Sequence, residues 1–199
     1  FIIHNAKSHQ FFPFQDFLVS RMIKNATHLV VMNENEIKRL KKYNFKGEII
    51  SSFHPIYDID FNSDNRNQFR SELGIRSEPT ILFFGLIRPY KGLEILIQAF
   101  ANKKLNTENI ILKVVGECYE DKKKYINLVT SLGLEKIVKF DFEFKTEQDI
   151  QLVFSGCDLV AQTYHTASQS GVTPIAYFYN KPLVVSDIEG LNTPIKEDN

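Results

Sequence analysis

Short runs of large apolar residues alternate along this chain with stretches whose apolar positions recur at helical spacing. That rhythm constrains the fold more than any other feature. Strand-like runs at residues 1–3, 28–32 and 48–52 are separated by Phe14, Phe17, Leu18 and Met22, then by Leu40 and Tyr43. A second series begins at 81–84 and continues at 110–115, 138–142, 158–162 and 183–186. Its intervening stripes are Leu93, Leu96, Ile97 and Phe100, then Tyr125, Leu128, Val129 and Leu132, then residues 147–154. Such alternation folds as parallel sheet with helices on its faces. Residues 54–79 break the pattern: His-Pro, then Asp, Asn, Ser and Arg in quick succession, with one short helix expected over 66–73. The expected organisation is therefore an α/β domain over 1–56, a linker over 57–79 and a second α/β domain over 80–199. Two facing Rossmann-like domains would place a ligand cleft between the carboxyl ends of their parallel sheets.

Charge excludes one class of partner. Lys+Arg and Asp+Glu both number 24, so bulk charge gives nucleic acid no reason to bind. A hydrophobic content of 43% suits a chain with a sizeable core, and the aromatics read as part of it. Cys118 and Cys157 lie far apart, in no metal-like spacing, and read as free thiols of a reducing compartment. No apolar run approaches a membrane span. The chain begins inside one strand and stops just past another, so both domains are expected to be incomplete.

Two motifs carry chemistry. In Gly85-Leu-Ile-Arg88-Pro-Tyr-Lys91-Gly92, a strand turns into a helix and two cations are aimed at the strand's carboxyl end. A diphosphate suits them, since Arg can grip it bidentately while Lys serves as a point charge. The same loop would also pass as solvated basic surface. Further on, Ser168, Gln169, Ser170 and Gly171 are expected to open a helix with Pro174 in its first turn. Val172, Ile175, Ala176 and Tyr179 form its apolar stripe, and Thr173 and Tyr177 fall on another side. Free backbone N–H groups at such a start can bind an anion, although capping hydroxyls on an ordinary packing helix would look the same.

Taken in order, strand–Gly85–x5–Lys91-Gly92, Asp158, Thr163-Tyr164, the 169–174 loop-helix and Lys181-Pro-Leu-Val-Val-Ser resemble glycosyltransferase family 4. The segment Ile3-His4-Asn5-Ala-Lys-Ser-His9-Gln is similar to the end of that family's N-terminal domain. The resemblance implies a GT-B fold, and a retaining transferase that moves sugar from a nucleotide-sugar donor to a glycan or lipid-linked acceptor. It implies that Arg88 and Lys91 hold the donor diphosphate, with His4 facing the transferred sugar. Gly85, Gly116, Glu117 and Tyr164 would border the nucleotide, Phe142 and Glu143 would contact the base, and Gln169, Ser170, Gly171, Val172, Thr173 and Tyr177 would receive phosphates and ribose. No cofactor is implied, because the nucleotide sugar is itself a substrate, and a bound divalent metal is not needed where Arg88, Lys91 and the helix start supply the positive charge. A cytoplasmic site of action, cell-surface polysaccharide synthesis and peripheral contact with the cytoplasmic membrane face follow from the family alone. Where the family carries a Glu, seven residues and another Glu, this chain has Gln169 and Tyr177, and Leu86 replaces an Arg. Those departures leave open a nucleotide-sugar-binding paralogue acting as a partner subunit. A nucleotide-sugar epimerase of the same fold would need a pair of acid/base carboxylates, which the sequence does not place.

Overall fold

A computed structural model describes residues 1–3, 13–32, 34–52, 65–72, 74, 77–102 and 109–196. The chain separates into two compact units. One comprises Phe1–Pro55, Thr166–Gly171 and Asp187–Asn199; the other comprises Ile56–His165 and Val172–Ser186.

In the first unit, β1 (Ile2–Ile3), β2 (His28–Val31) and β3 (Glu48–Ser51) form a parallel sheet in that order. Helices α1 (Gln15–Lys24) and α2 (Glu34–Lys41) supply the connections. Ile3, Ile23, Leu29, Val31 and Leu40 make its core, with Val19 packed alongside. The stripe expected from Phe14, Phe17, Leu18 and Met22 does not face that core; all four are exposed. Val19 and Ile23, one turn apart, set the phase of α1 and turn Phe17 to the opposite side. Phe14 precedes the helix in a left-handed conformation (φ 59°), outside its periodicity. Not every phenylalanine enters a core, although the sequence allowed it: Phe144 too is 75% exposed.

The second unit holds α3 (Asn65–Glu72), β4 (Thr80–Phe84), α4 (Leu93–Phe100), β5 (Ile111–Val115), α5 (Lys122–Ser131), β6 (Val138–Asp141), α6 (Glu147–Gly156), β7 (Leu159–Gln162), α7 (Val172–Phe178) and β8 (Leu183–Val185). Its five strands are parallel, in the order β6-β5-β4-β7-β8. Alternation along β4 splits the interior. Phe83 faces Leu93, Ile97, Phe100, Leu112 and Tyr125, whereas Leu82 and Phe84 face Phe69, Val153, Phe154, Val160 and Ala176. Thr146 and Asp149 close a reciprocal capping box at the start of α6. The strand order reverses between β4 and β7, so the loops leaving their carboxyl ends flank a topological switch point. Helix α8 (Glu189–Lys196) lies in the first unit.

Candidate functional site

Both loops at the switch point are fastened to each other by backbone. Thr163 Oγ1 donates to the Gly92 carbonyl (2.9 Å), and the His165 amide donates to the Tyr90 carbonyl (2.8 Å). The His165 imidazole meets Glu94 Oε1 at 2.8 Å. Gly92 is left-handed (φ 61°), and a Cβ there would be driven into the Thr163 carbonyl oxygen. The β4 loop is tied equally to the β5 loop. Gly85 N–H donates to Val115 O (3.0 Å), Ile87 N–H to Glu117 O (2.8 Å) and Tyr119 N–H to Ile87 O (3.1 Å). Gly116 (φ 135°) passes so close to Gly85 that a Cβ would strike its carbonyl oxygen. Replacing Gly116 with Ala combines that collision with an unfavourable φ. It should destabilise the protein by about 2–3 kcal/mol, read as a lower denaturation midpoint. An unchanged midpoint would contradict this packing.

Into this scaffold the turn Pro89–Lys91 delivers two cations. Lys91 is buried, its Nζ 5.2 Å from the Tyr164 ring centroid and beneath Gly85, where a Cβ would come within 2.8 Å of it. Burial, and secondarily the Arg88 charge, pull its pKa down to about 8. Arg88 is half-buried and extended (φ −138°, ψ 156°), its guanidinium 4.4 Å from the Tyr119 ring centroid. Tyr164 is itself buried, edge-on to Tyr90. Two positive charges are thus presented against aromatic faces at the carboxyl end of the sheet. That field suits an anion whose negative charge is spread over several oxygens.

The other expected residues divide. Gly85, Arg88, Lys91, Gly116, Glu117 and Tyr164 converge, and Val172 Cγ2 would lie 3.6 Å from a Gly85 Cβ. Phe142 stacks on Phe140 (4.8 Å), with Lys122 over its ring (5.7 Å), while Glu143 is exposed beside it. Their strand is joined to the site through Gly116 N–H on the Asp141 carbonyl (2.9 Å). Residues 168–171 do not open the helix: α7 starts at Val172, and Gln169, Ser170 and Gly171 form the half-buried loop before it. Thr166–Gly171 also group with the first compact unit, whereas α7 groups with the second. Pro174 sits in the first turn as expected, and Val172, Ile175, Ala176 and Tyr179 are buried. Thr173 is buried as well and exchanges hydrogen bonds with the Gln162 side chain (3.3 Å). Tyr177 is half-buried on the same helix. His4 lies outside the described residues. So do Asp58 and Asp60 of Asp58-Ile59-Asp60, an Asp-x-Asp pair. The sequence reading missed Tyr119, because its approach to Arg88 depends on the pairing of Ile87 with Cys118 between two loops.

Residues 65–199 match the model of the family described as Glycosyl transferases group 1. A D-inositol 3-phosphate glycosyltransferase of Mycobacterium marinum is 28% identical over 182 residues, covering 89% of this chain and 38% of that protein. Among solved structures, Anabaena HepE in complex with UDP and glucose superposes with a TM-score of 0.79 at 21% identity. That match covers 96% of this chain and 53% of HepE. WaaG, a glycosyltransferase involved in lipopolysaccharide biosynthesis, gives a TM-score of 0.72 at 21% identity, covering 85% of this chain and 46% of WaaG. The chain therefore spans about half or less of each of these three proteins. Both solved structures share its parallel α/β fold, which is of the GT-B type.

Proposed function

The chain belongs to the Glycosyl transferases group 1 family, and from that premise we propose that it moves a sugar from a UDP- or GDP-linked donor to a glycan or lipid-linked acceptor hydroxyl, retaining the anomeric configuration. The observation that carries this reading is the Arg88–Lys91 pair held at the β4/β7 switch point. As the glycosidic bond to the donor breaks, negative charge accumulates on the departing diphosphate. Arg88 and Lys91 would already occupy the positions that stabilise it, so little reorganisation is needed. Gly85, Gly116, Glu117 and Tyr164 would line the nucleotide, with Phe142 and Glu143 at the base and Gln169, Ser170, Gly171, Val172, Thr173 and Tyr177 toward phosphate and ribose. His4 would meet the transferred sugar. The departing phosphate would take the acceptor's proton, so neither a metal nor a cofactor enters this account. That HepE was solved with UDP and glucose makes UDP the first nucleotide to try.

The exposed Phe17, Leu18 and Met22 of α1, with Phe14 just before it and Arg21 and Lys24 beside them, favour peripheral contact with the cytoplasmic membrane face, where polysaccharide precursors would be assembled. Among the described residues no helix is long and apolar enough to cross a membrane.

The test is release of nucleoside diphosphate from a panel of UDP- and GDP-sugars. One donor should turn over, and a folded protein that turns over none would contradict the proposal. Gln169 offers a sharper comparison. A carboxylate accepts a stronger hydrogen bond than an amide by roughly 1–2 kcal/mol. Gln169→Glu should accordingly tighten donor binding by about five- to thirtyfold. No change on titration would remove Gln169 from the donor site.

A further inference from the structure

Tyr119 belongs to no motif, and its ring is 54% exposed, yet it is held at both ends. Its amide donates to the Ile87 carbonyl (3.1 Å), completing the zipper that begins at Gly85 N–H on Val115 O and continues at Ile87 N–H on Glu117 O. Its hydroxyl donates to Glu117 Oε2 (3.1 Å), which fixes the plane of the ring. Over that ring sits the Arg88 guanidinium, 4.4 Å from the centroid.

Electrostatics shows why such a platform is useful. Arg88 and Lys91 repel each other, a contribution second to burial in lowering the Lys91 pKa. Two neighbouring cations need something to hold them in place. An aromatic face holds a cation without neutralising it. Lys91 has such a face in Tyr164 (5.2 Å), and Arg88 has one in Tyr119. Glu117 is kept one residue removed, its carboxylate engaged with the Tyr119 hydroxyl.

We propose that Tyr119 is a positioning residue of the donor site: its ring holds Arg88 ready for the diphosphate of the nucleotide sugar, and Glu117 holds the ring. This rests on the nucleotide-sugar reading above. It is a property of this chain's β5 loop, where Cys118-Tyr119 follow Gly116-Glu117.

The experiment titrates the protein with UDP and UMP, or with GDP and GMP if the wild type prefers guanine, using Tyr119→Ala, Tyr119→Phe and Arg88→Ala. An exposed cation–aromatic contact corresponds to roughly a two- to fivefold effect. Tyr119→Ala should therefore weaken diphosphate binding by about that factor and leave monophosphate binding unchanged. Tyr119→Phe, which keeps the ring, should restore most of the loss. In an Arg88→Ala background, Tyr119→Ala should add nothing. Because the side chain is exposed, both variants are expected to fold, and circular dichroism checks this. Equal weakening of diphosphate and monophosphate, or a Tyr119→Ala protein that binds like wild type, would overturn the proposal while leaving the donor site standing. A wild type that binds neither UDP nor GDP would overturn both.

Discussion

Lys91→Ala is expected to slow glycosyl transfer by roughly 10²–10³-fold, the usual loss when one preorganised charge-stabilising group is removed. The expectation rests on how much the fold invests in this side chain. Lys91 is only 7% exposed, lies against the Tyr164 ring and sits where Gly85 leaves no room for a methyl group. Among the described residues no carboxylate pairs with it, and burial, then the Arg88 charge, lowers its pKa to about 8. In the unfolded chain the amine titrates near 10.5. The charged amine is therefore penalised in the folded state at all pH below about 8, and the penalty fades as pH rises toward 10.5. At pH 7 Lys91→Met should consequently be more stable than the wild type by about 2–3 kcal/mol, even as activity is lost. A bound diphosphate supplies the missing counter-charge. Donor affinity should be flat below pH 8 and fall above it as Lys91 loses its proton. That fall should be absent in Lys91→Ala. A variant that keeps wild-type activity would place the chemistry elsewhere.

Asp158→Ala is expected to reduce stability by about 3 kcal/mol, with the donor site affected only through folding. One carboxylate gathers three partners here. Its Oδ1 accepts from Arg66 (2.6 Å), and its Oδ2 accepts from Arg70 (3.2 Å) and from the Thr80 amide (2.8 Å). Arg70, with a side chain 10% exposed, also donates to the Gly156 and Glu78 carbonyls. The cluster pins α3 to the end of α6 and to the first residue of β4. Removing the carboxylate strands a largely buried guanidinium, the costly way to break an ion pair. Partial exposure of Asp158 keeps the loss at the lower end of the range for buried pairs. Burial alone would raise the Asp158 carboxyl, but Arg66, the Thr80 amide and Arg70 hold it below its usual value. Its contribution is thus fully present above about pH 4 and is lost as pH falls through the depressed folded value. Denaturation curves at pH 7 and pH 3 should differ less for the variant than for the wild type. An equal midpoint at pH 7 would contradict the strut.

Residue pattern made the second unit legible almost strand by strand, because its sheet is covered on both faces and each buried run stands out. Lys91, Arg88 and the switch-point glycines were legible for the same reason: the turn chemistry that places them is local. The start of α7 was not. Polar residues before a helix look alike whether they cap it or form a loop, and the choice depends on how 166–171 pack. The burial of Thr173 was not legible, because it packs against Gln162, a contact that apolar periodicity cannot register. On α1, Val19 and Ile23 won the sheet over larger neighbours, since phase along the helix, not side-chain size, decided which side faced inward. Tyr119 needed the register of two loops, which composition and periodicity do not encode.

Calorimetric titration of the wild type and of Lys91→Ala with UDP and with GDP tests the central claim most directly. The account predicts that one nucleotide binds the wild type, and that Lys91→Ala weakens it at least about tenfold, the loss of a buried charge-assisted contact. If a folded wild type binds neither nucleotide, or if Lys91→Ala binds as tightly, the donor site is not where the two cations are.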